Sequence, residues 1–118
     1  MNEPVRKIEP AANVVPPRPT ELTIELTTEV MAFGTSIKKL TFRRPTGGDV
    51  MSLGDIYPVH IDFATGDVRP VPVAMGRIMS MLAQVPMKTI ETMDSEDFAR
   101  CSFELSHFFL PATRGPAT

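Results

Sequence analysis

The sequence is poor in cysteine, tyrosine and tryptophan: it contains one cysteine, one tyrosine and no tryptophan among 118 residues. A single cysteine, Cys101, cannot form an internal disulfide or a cysteine-based metal site, which indicates a reducing compartment. There is no apolar run of membrane-spanning length, and the first ten residues lack the apolar stretch of a signal peptide. The sequence therefore predicts a soluble cytoplasmic protein with no membrane partner.

An excess of basic residues is also missing. The formal net charge is −2 at pH 7, whereas a surface that binds phosphate groups normally leaves a basic excess. Nucleic acid is therefore not an expected partner.

Proline is abundant and unevenly placed. The length of 118 residues suits a single domain, but the first 19 residues are proline-rich and have no apolar period. We expect residues 1–20 to form a disordered proline-rich arm, residues 21–110 a single α+β domain, and residues 111–118 a flexible C-terminal tail. Whether the arm binds a partner is left open.

Two strands are predicted from alternating apolar residues between Glu21 and Arg44. The apolar positions are Leu22, Ile24, Leu26, Leu40 and Phe42. Pairing Leu26 with Leu40 leaves residues 32–34 as a three-residue loop, in which Gly34 takes the left-handed position. We therefore predict an antiparallel hairpin in this register.

Charged residues on the solvent face of the hairpin favour its pairing. The same register places Thr27 opposite Lys39, and Glu25 diagonal to Lys39 and Arg43. An alternative role for the basic residues is a docking patch made of Lys38, Lys39, Arg43 and Arg44.

The middle of the chain contains a helix start and a weak second hairpin. Thr46 and Asp49 have the spacing of a capping box, which predicts a short helix over Gly47–Leu53. Residues 55–72 permit a small hairpin confined to a sheet edge by its prolines.

Helical periodicity dominates the rest of the chain. Apolar residues predict a helix over Val73–Val85, a short turn over Lys88–Met93 and a last helix from the Asp94 cap to about Leu110. Acidic residues in the first turn, Glu96 and Asp97, complement the helix dipole. The expected fold is α+β, with an N-terminal antiparallel β-hairpin packed against a small C-terminal helical bundle.

Residues that could perform chemistry form no strong pattern. His60, Asp62 and His107 are the only candidates for a metal or acid–base site, and they lack the spacing of known ligand sets. Cys101 and His107 would lie on different faces of one helix, so they are not expected to form a nucleophilic pair. We interpret Cys101 as a core residue. We predict no catalytic residue, no metal and no cofactor, and keep a metal-dependent hydrolase as a minor alternative.

Apolar residues on the two long C-terminal helices exceed what one hairpin face requires. Methionine is flexible and often lines surfaces that bind helices, and the chain has eight. We predict a partner-binding surface from these helices, with Phe103 as its most exposed aromatic residue, although simple packing on the hairpin is an equal alternative. The predicted partner-binding residues are Met75, Ile78, Met79, Leu82, Phe98, Phe103, Phe108 and Phe109.

The order of these features resembles that of a known family. A strand, a glycine-centred turn and a second strand closing with Leu40–Asp49 (LTFRRPTGGD) precede an amphipathic helix that ends in AQVP. Asp94–Phe98 (DSEDF) and Phe108-Phe109 follow. This arrangement, from about Leu22 to Phe109, resembles the phage tail assembly chaperones of Mu-like and related contractile-tailed phages.

The resemblance implies a non-catalytic assembly factor of a phage or prophage. Such a protein would bind the tape measure protein, keep it soluble and help tail tube protein polymerise around it, with self-association left open. It would act in the host cytoplasm and be absent from the mature virion. The main alternative is a small structural or baseplate accessory protein retained in the tail.

Overall fold

The molecule consists of two β-hairpins followed by three helices, with a short helix between the hairpins. The computed structural model describes residues 20–110. The predicted α+β class, with its N-terminal antiparallel hairpin and C-terminal helices, is confirmed. In chain order the elements are β1 Glu21–Ala32, β2 Thr35–Arg43, α1 Gly47–Met51, β3 Val59–Ile61, β4 Val68–Pro70, α2 Pro72–Ala83, α3 Met87–Glu91, α4 Ser95–Ser106 and a 3-10 turn His107–Phe109.

The core lies between one face of the first hairpin and the helices. Helix α2 packs on β2, while α3 and α4 pack on β1. Phe42 of β2 and Leu105 of α4 are completely buried, as are three residues of α2. These three are Met75, Ile78 and Met79. Burying such apolar side chains is the main favourable contribution to folding.

The predicted register of the first hairpin is wrong. Leu40 pairs with Ile24, and the strands are joined by a two-residue turn, Phe33-Gly34, because Ala32 pairs with Thr35. Both turn residues have positive φ, 54° and 79°, as in the tight turns that suit the strand twist. Between the Glu25 and Val30 pairs, four residues of β1 face only Lys38 of β2. This wide bulge shifts the register, so no single register describes the hairpin.

The observed register pairs charges more directly than the predicted one. Glu25 lies opposite Lys39 and Glu21 opposite Arg43, whereas Thr27 belongs to the bulge. Attraction between opposite charges across the strands therefore still favours this pairing.

Gly34 provides a test of the turn, since its positive φ of 79° is confirmed. Nothing lies within 4 Å of the position that a Cβ atom would occupy, so a substitution is strained only through the backbone. We expect Gly34→Val to lower the free energy of unfolding by about 1 kcal/mol or more. Gly34→Asn is the control, because asparagine tolerates this region far better. Equal losses in chemical denaturation would contradict a backbone origin.

The capping box at Thr46 is confirmed. Thr46 Oγ1 accepts a hydrogen bond from the Asp49 backbone N–H, and the Asp49 carboxylate accepts one from Thr46 N–H at 2.8 Å. Asp49 also forms a bidentate ion pair with Arg43, at 2.7 and 2.9 Å. The Arg43 guanidinium holds the pKa of Asp49 well below its ordinary value. Helix α1 ends at Met51, slightly before the predicted Leu53.

The second hairpin, which the sequence permitted, does form, but as a separate two-stranded sheet and not at the edge of a larger one. His60 pairs with Arg69, and the Val71 N–H donates to the Pro58 carbonyl at 2.8 Å. Helix α2 starts at Pro72, and α4 ends at Ser106, followed by the 3-10 turn where a continuous helix to Leu110 was expected. Within residues 20–110, no helix is long and apolar enough to cross a membrane.

The predicted arm and C-terminal tail lie outside the described residues, apart from Thr20. The division into an arm, a domain and a tail therefore stays a prediction.

Candidate partner-binding surface

The eight predicted partner-binding residues do not share one surface. Five are buried in the core, namely Met75, Ile78, Met79, Leu82 and Phe109. Phe98 and Phe108 are half-buried, and Phe103 is 64% exposed, as expected for an aromatic residue off the apolar stripe. The five core residues stabilise the fold. For all eight residues, contact with a partner stays a prediction.

Apolar side chains do reach solvent along a groove on the outer side of α2 and α3. This groove, called the α2–α3 groove below, has a volume of about 480 Å³. Val73 on its rim is 59% exposed, and Met87 is also exposed. Sequence periodicity missed both residues because they lie outside the buried stripe of their helices. The apolar lining residues are Pro72, Val73, Met87, Ile90, Met93 and Phe98.

Two opposite charges line the same groove. Arg77 belongs to α2 and Glu91 is the last residue of α3. Both are exposed, and neither side chain has an ion pair among residues 20–110. Counting ion pairs within residues 20–110 only, the groove therefore combines apolar lining residues with one unpaired charge of each sign.

A buried carboxylate fixes the bulge of β1 against α4. Asp97 is completely buried and accepts hydrogen bonds from the backbone N–H groups of Thr27 and Thr28, the closest at 3.0 and 3.1 Å. The Thr27 hydroxyl also donates to it, at 3.0 Å, as does Arg100 Nη2, at 3.0 Å. Arg100 further donates to the Glu25 carbonyl at 2.6 Å. These residues, the Asp97 cluster, hold the start of α4 to the middle of β1.

The hydrogen bonds of the Asp97 cluster determine its charge state. Burial alone would raise the pKa of Asp97, but the bonds from Thr27, Thr28 and Arg100 outweigh burial and lower the pKa. Asp97 is therefore ionised at neutral pH. From the sequence, Asp97 was expected only to complement the helix dipole. Its position as the third residue of α4 does not reveal that it contacts β1.

The candidates for chemistry remain apart. Within residues 20–110, no three histidine, cysteine, aspartate or glutamate residues form a group that could hold a metal ion. The Asp62 carboxylate accepts from the Ala64 N–H at 2.9 Å in its own turn, and His107 contacts the Glu104 carbonyl at 3.2 Å. Burial raises the pKa of the Cys101 thiol to about 11, so it stays protonated and unreactive at neutral pH.

Comparison with known protein families decides the family. The family described as phage tail assembly chaperone proteins, E, or 41 or 14, matches residues 23–110. This chain belongs to the phage tail assembly chaperones. No curated protein and no solved structure matches it.

The motifs of the resemblance have structural roles in this tail assembly chaperone. Leu40–Asp49 contains the end of β2 and the Arg43–Asp49 ion pair that fixes the start of α1. Asp94–Phe98 contains the cap of α4, the Asp97 carboxylate and the Phe98 ring at the α2–α3 groove. The second motif therefore connects the hairpin with the groove.

Proposed function

We propose that this chaperone binds the tape measure protein of its phage, keeps it soluble and helps tail tube protein polymerise around it. The proposed role is non-catalytic. It is supported by the family and by one observation above all, the α2–α3 groove, where Val73, Met87 and Phe98 offer apolar surface to a partner. Contiguous exposed apolar surface commonly marks an interaction site. A long tape measure protein with an apolar helical face would tend to aggregate before assembly, and a chaperone that covers this face would keep it soluble.

Co-expression tests this proposal. The tape measure protein of the same phage is expressed alone and together with the full-length chaperone, which carries a purification tag. We expect the tape measure protein to become soluble and to co-purify with the tag. If it stays insoluble in both cultures, and tail tube protein is captured in its place, the proposed partner is wrong.

The same proposal places the chaperone in the host cytoplasm and outside the mature virion. Mass spectrometry of purified phage particles checks this, with tail tube protein as the internal standard. We expect the chaperone to be absent from the particles. Stoichiometric amounts in the tail would instead favour the structural or baseplate accessory protein considered from the sequence.

A further inference from the structure

The two strands of the first hairpin have unequal outer edges. The Arg44 N–H donates to the Thr20 carbonyl at 2.9 Å, so these two residues form a hydrogen-bonded pair. Along an antiparallel ladder, such pairs alternate with pairs whose backbone groups point away from the partner strand. In the register of this hairpin, the outward-pointing residues are Glu21, Thr23 and Glu25 of β1 and Lys39, Thr41 and Arg43 of β2.

The helices close the outer edge of β1. The Glu25 carbonyl accepts a hydrogen bond from Arg100 at 2.6 Å, and the Met31 carbonyl accepts one from the Thr89 hydroxyl at 2.6 Å. Between these two positions, the Asp97 carboxylate accepts from the backbone N–H groups of the bulge. A further strand therefore cannot pair with β1 from Glu25 to Met31.

The outer edge of β2 is open. Among residues 20–110, no hydrogen bond reaches the outward backbone groups of Lys39 and Thr41, and both residues are exposed. A cleft of about 550 Å³ lies against the same part of β2. The residues that line it are Glu25, Leu26, Ile37, Lys38, Lys39 and Thr41. A row of unpaired backbone groups beside a cleft can bind an extended segment, which adds a strand and places side chains in the cleft.

The charges of the hairpin indicate which segments fit this edge. Strand β2 contains three basic residues and no carboxylate, whereas β1 contains three carboxylates and no basic residue. Arg43 is engaged by Asp49, but Lys38 and Lys39 have no ion pair among residues 20–110. Strand β1 shows which neighbour β2 accepts, since Glu25 lies opposite Lys39. A second acidic strand would complement the open edge in the same way.

Other segments of this chain fit the edge poorly. Pairing with β2 of a second copy would bring Lys39 and Arg43 opposite or diagonal to the same cations, and like charges disfavour such pairing. Strand β1 of a second copy is closed by its own helices. Residues 1–19 contain three basic and two acidic residues, so they share the sign of the edge. Lysine on an edge strand commonly prevents wrong pairing, and here it disfavours copies of the chain without disfavouring an acidic partner.

We propose that the outer edge of β2 binds an extended, acidic segment of the tape measure protein, which adds a third strand to the first hairpin. The outward backbone groups of Lys39, Thr41 and Arg43 supply the hydrogen bonds, and Lys38 and Lys39 meet carboxylates of the added strand. This inference rests on the proposed function and adds a binding site and the chemistry of the bound segment.

Amide hydrogen exchange of the full-length chaperone tests the edge directly, with overlapping peptides from the tape measure protein of the same phage as probes. In the free protein, the Thr41 N–H should exchange rapidly, while that of Phe42, which lies in the ladder, exchanges slowly. We expect an acidic peptide to slow exchange at Thr41 by about tenfold or more and to leave Thr23 unchanged. The proposal is overturned if no acidic peptide binds, if binding leaves Thr41 unprotected, or if the bound peptide gains helical circular dichroism.

A matched pair of full-length variants, Thr41→Pro and Thr23→Pro, locates the site. Thr23 and Thr41 lie opposite each other with their hydroxyl oxygens 3.0 Å apart, so either substitution removes the same side-chain contact. Each proline also removes one outward N–H and leaves the ladder intact. We expect similar unfolding temperatures, but only Thr41→Pro should weaken capture of the tape measure protein, by about tenfold or more. Equal capture by the two folded variants would contradict a site on β2.

The charge of the edge is tested without changing the backbone. Lys38→Glu should weaken capture, whereas Lys88→Glu, at an exposed cation of α3, should not. Equal capture by these two variants would contradict an acidic ligand. Failure of the wild-type chaperone to solubilise the tape measure protein contradicts the proposed function itself, whereas undiminished capture by folded Thr41→Pro and Lys38→Glu contradicts only this site.

Discussion

Asp97→Ala is expected to lower the free energy of unfolding by about 3 kcal/mol, because it removes a charged acceptor from a buried site. The backbone N–H groups of Thr27 and Thr28 would lose their acceptor, and Arg100 would lose its ion-pair partner. Such a loss is a large share of the stability of a domain of this size. Urea denaturation at neutral pH measures it.

The control for this prediction is Glu96→Ala. Glu96 is the adjacent carboxylate in the first turn of α4 and is exposed. Its loss should cost no more than about 0.5 kcal/mol through the helix dipole. Similar losses for the two variants would show that Asp97 contributes only as a first-turn charge, which is what the sequence indicated.

The pH dependence of stability separates the charge of Asp97 from its shape. Its pKa is lowered in the folded state, so its contribution is present above the ordinary carboxyl pKa of about 4 and is lost as pH falls through the folded value. We expect the difference in unfolding free energy between wild type and Asp97→Asn to shrink below about pH 4. A difference that stays constant from pH 7 to pH 3 would contradict an ionised Asp97.

The second large effect is expected for Phe109→Ala, at about 3 to 5 kcal/mol of unfolding free energy. Phe109 is buried, its carbonyl accepts a hydrogen bond from the Tyr57 hydroxyl at 3.1 Å, and the two rings meet edge to face at 6.0 Å. Truncating the side chain leaves a cavity beneath Tyr57. Thermal and urea denaturation both report the loss.

Phe103→Ala is the matched variant from the same end of the chain. Phe103 is mostly exposed, and its ring meets the His107 ring edge to face, with 5.7 Å between the ring centroids. We expect its removal to change the unfolding free energy by less than about 0.5 kcal/mol. Capture of the tape measure protein by this folded variant then tests the sequence-based prediction for Phe103: weaker capture keeps it among the partner-binding residues, and unchanged capture removes it.

The sequence predicted which elements form better than it predicted how they meet. Local signals sufficed for the Thr46 capping box, the Asp94 cap and the apolar stripe of α2, because each depends on neighbours within one or two turns. The hairpin register failed because alternation assumes one continuous ladder. The turn at Phe33-Gly34 and the Glu25–Lys39 pair belong to two registers, which only a bulge can reconcile.

The sequence did not predict the exposed residues of the α2–α3 groove, because its patterns are local. Periodicity identifies the apolar stripe that a helix buries, and the methionines of α2 lie on that stripe. Val73 and Met87, which remain exposed, are apolar residues outside it. No pattern in the sequence shows that Gly76 of α2 is buried beside Ile90 and Phe98, since those two residues come from other helices.

The long separation in sequence between the members of the Asp97 cluster has a kinetic consequence. The hydrogen bond from Thr27 to Asp97 joins residues 70 positions apart, whereas the two strands of the first hairpin are neighbours in the chain. Contacts between distant residues pay a larger loop-closure entropy and commonly form late. A nascent chain can therefore form the turn at Phe33-Gly34 during synthesis, but the bulge acquires its acceptor only once α4 has been made. Interactions that form after the transition state act mainly on the unfolding rate, so the cluster should prolong the lifetime of the folded chaperone more than it speeds its folding.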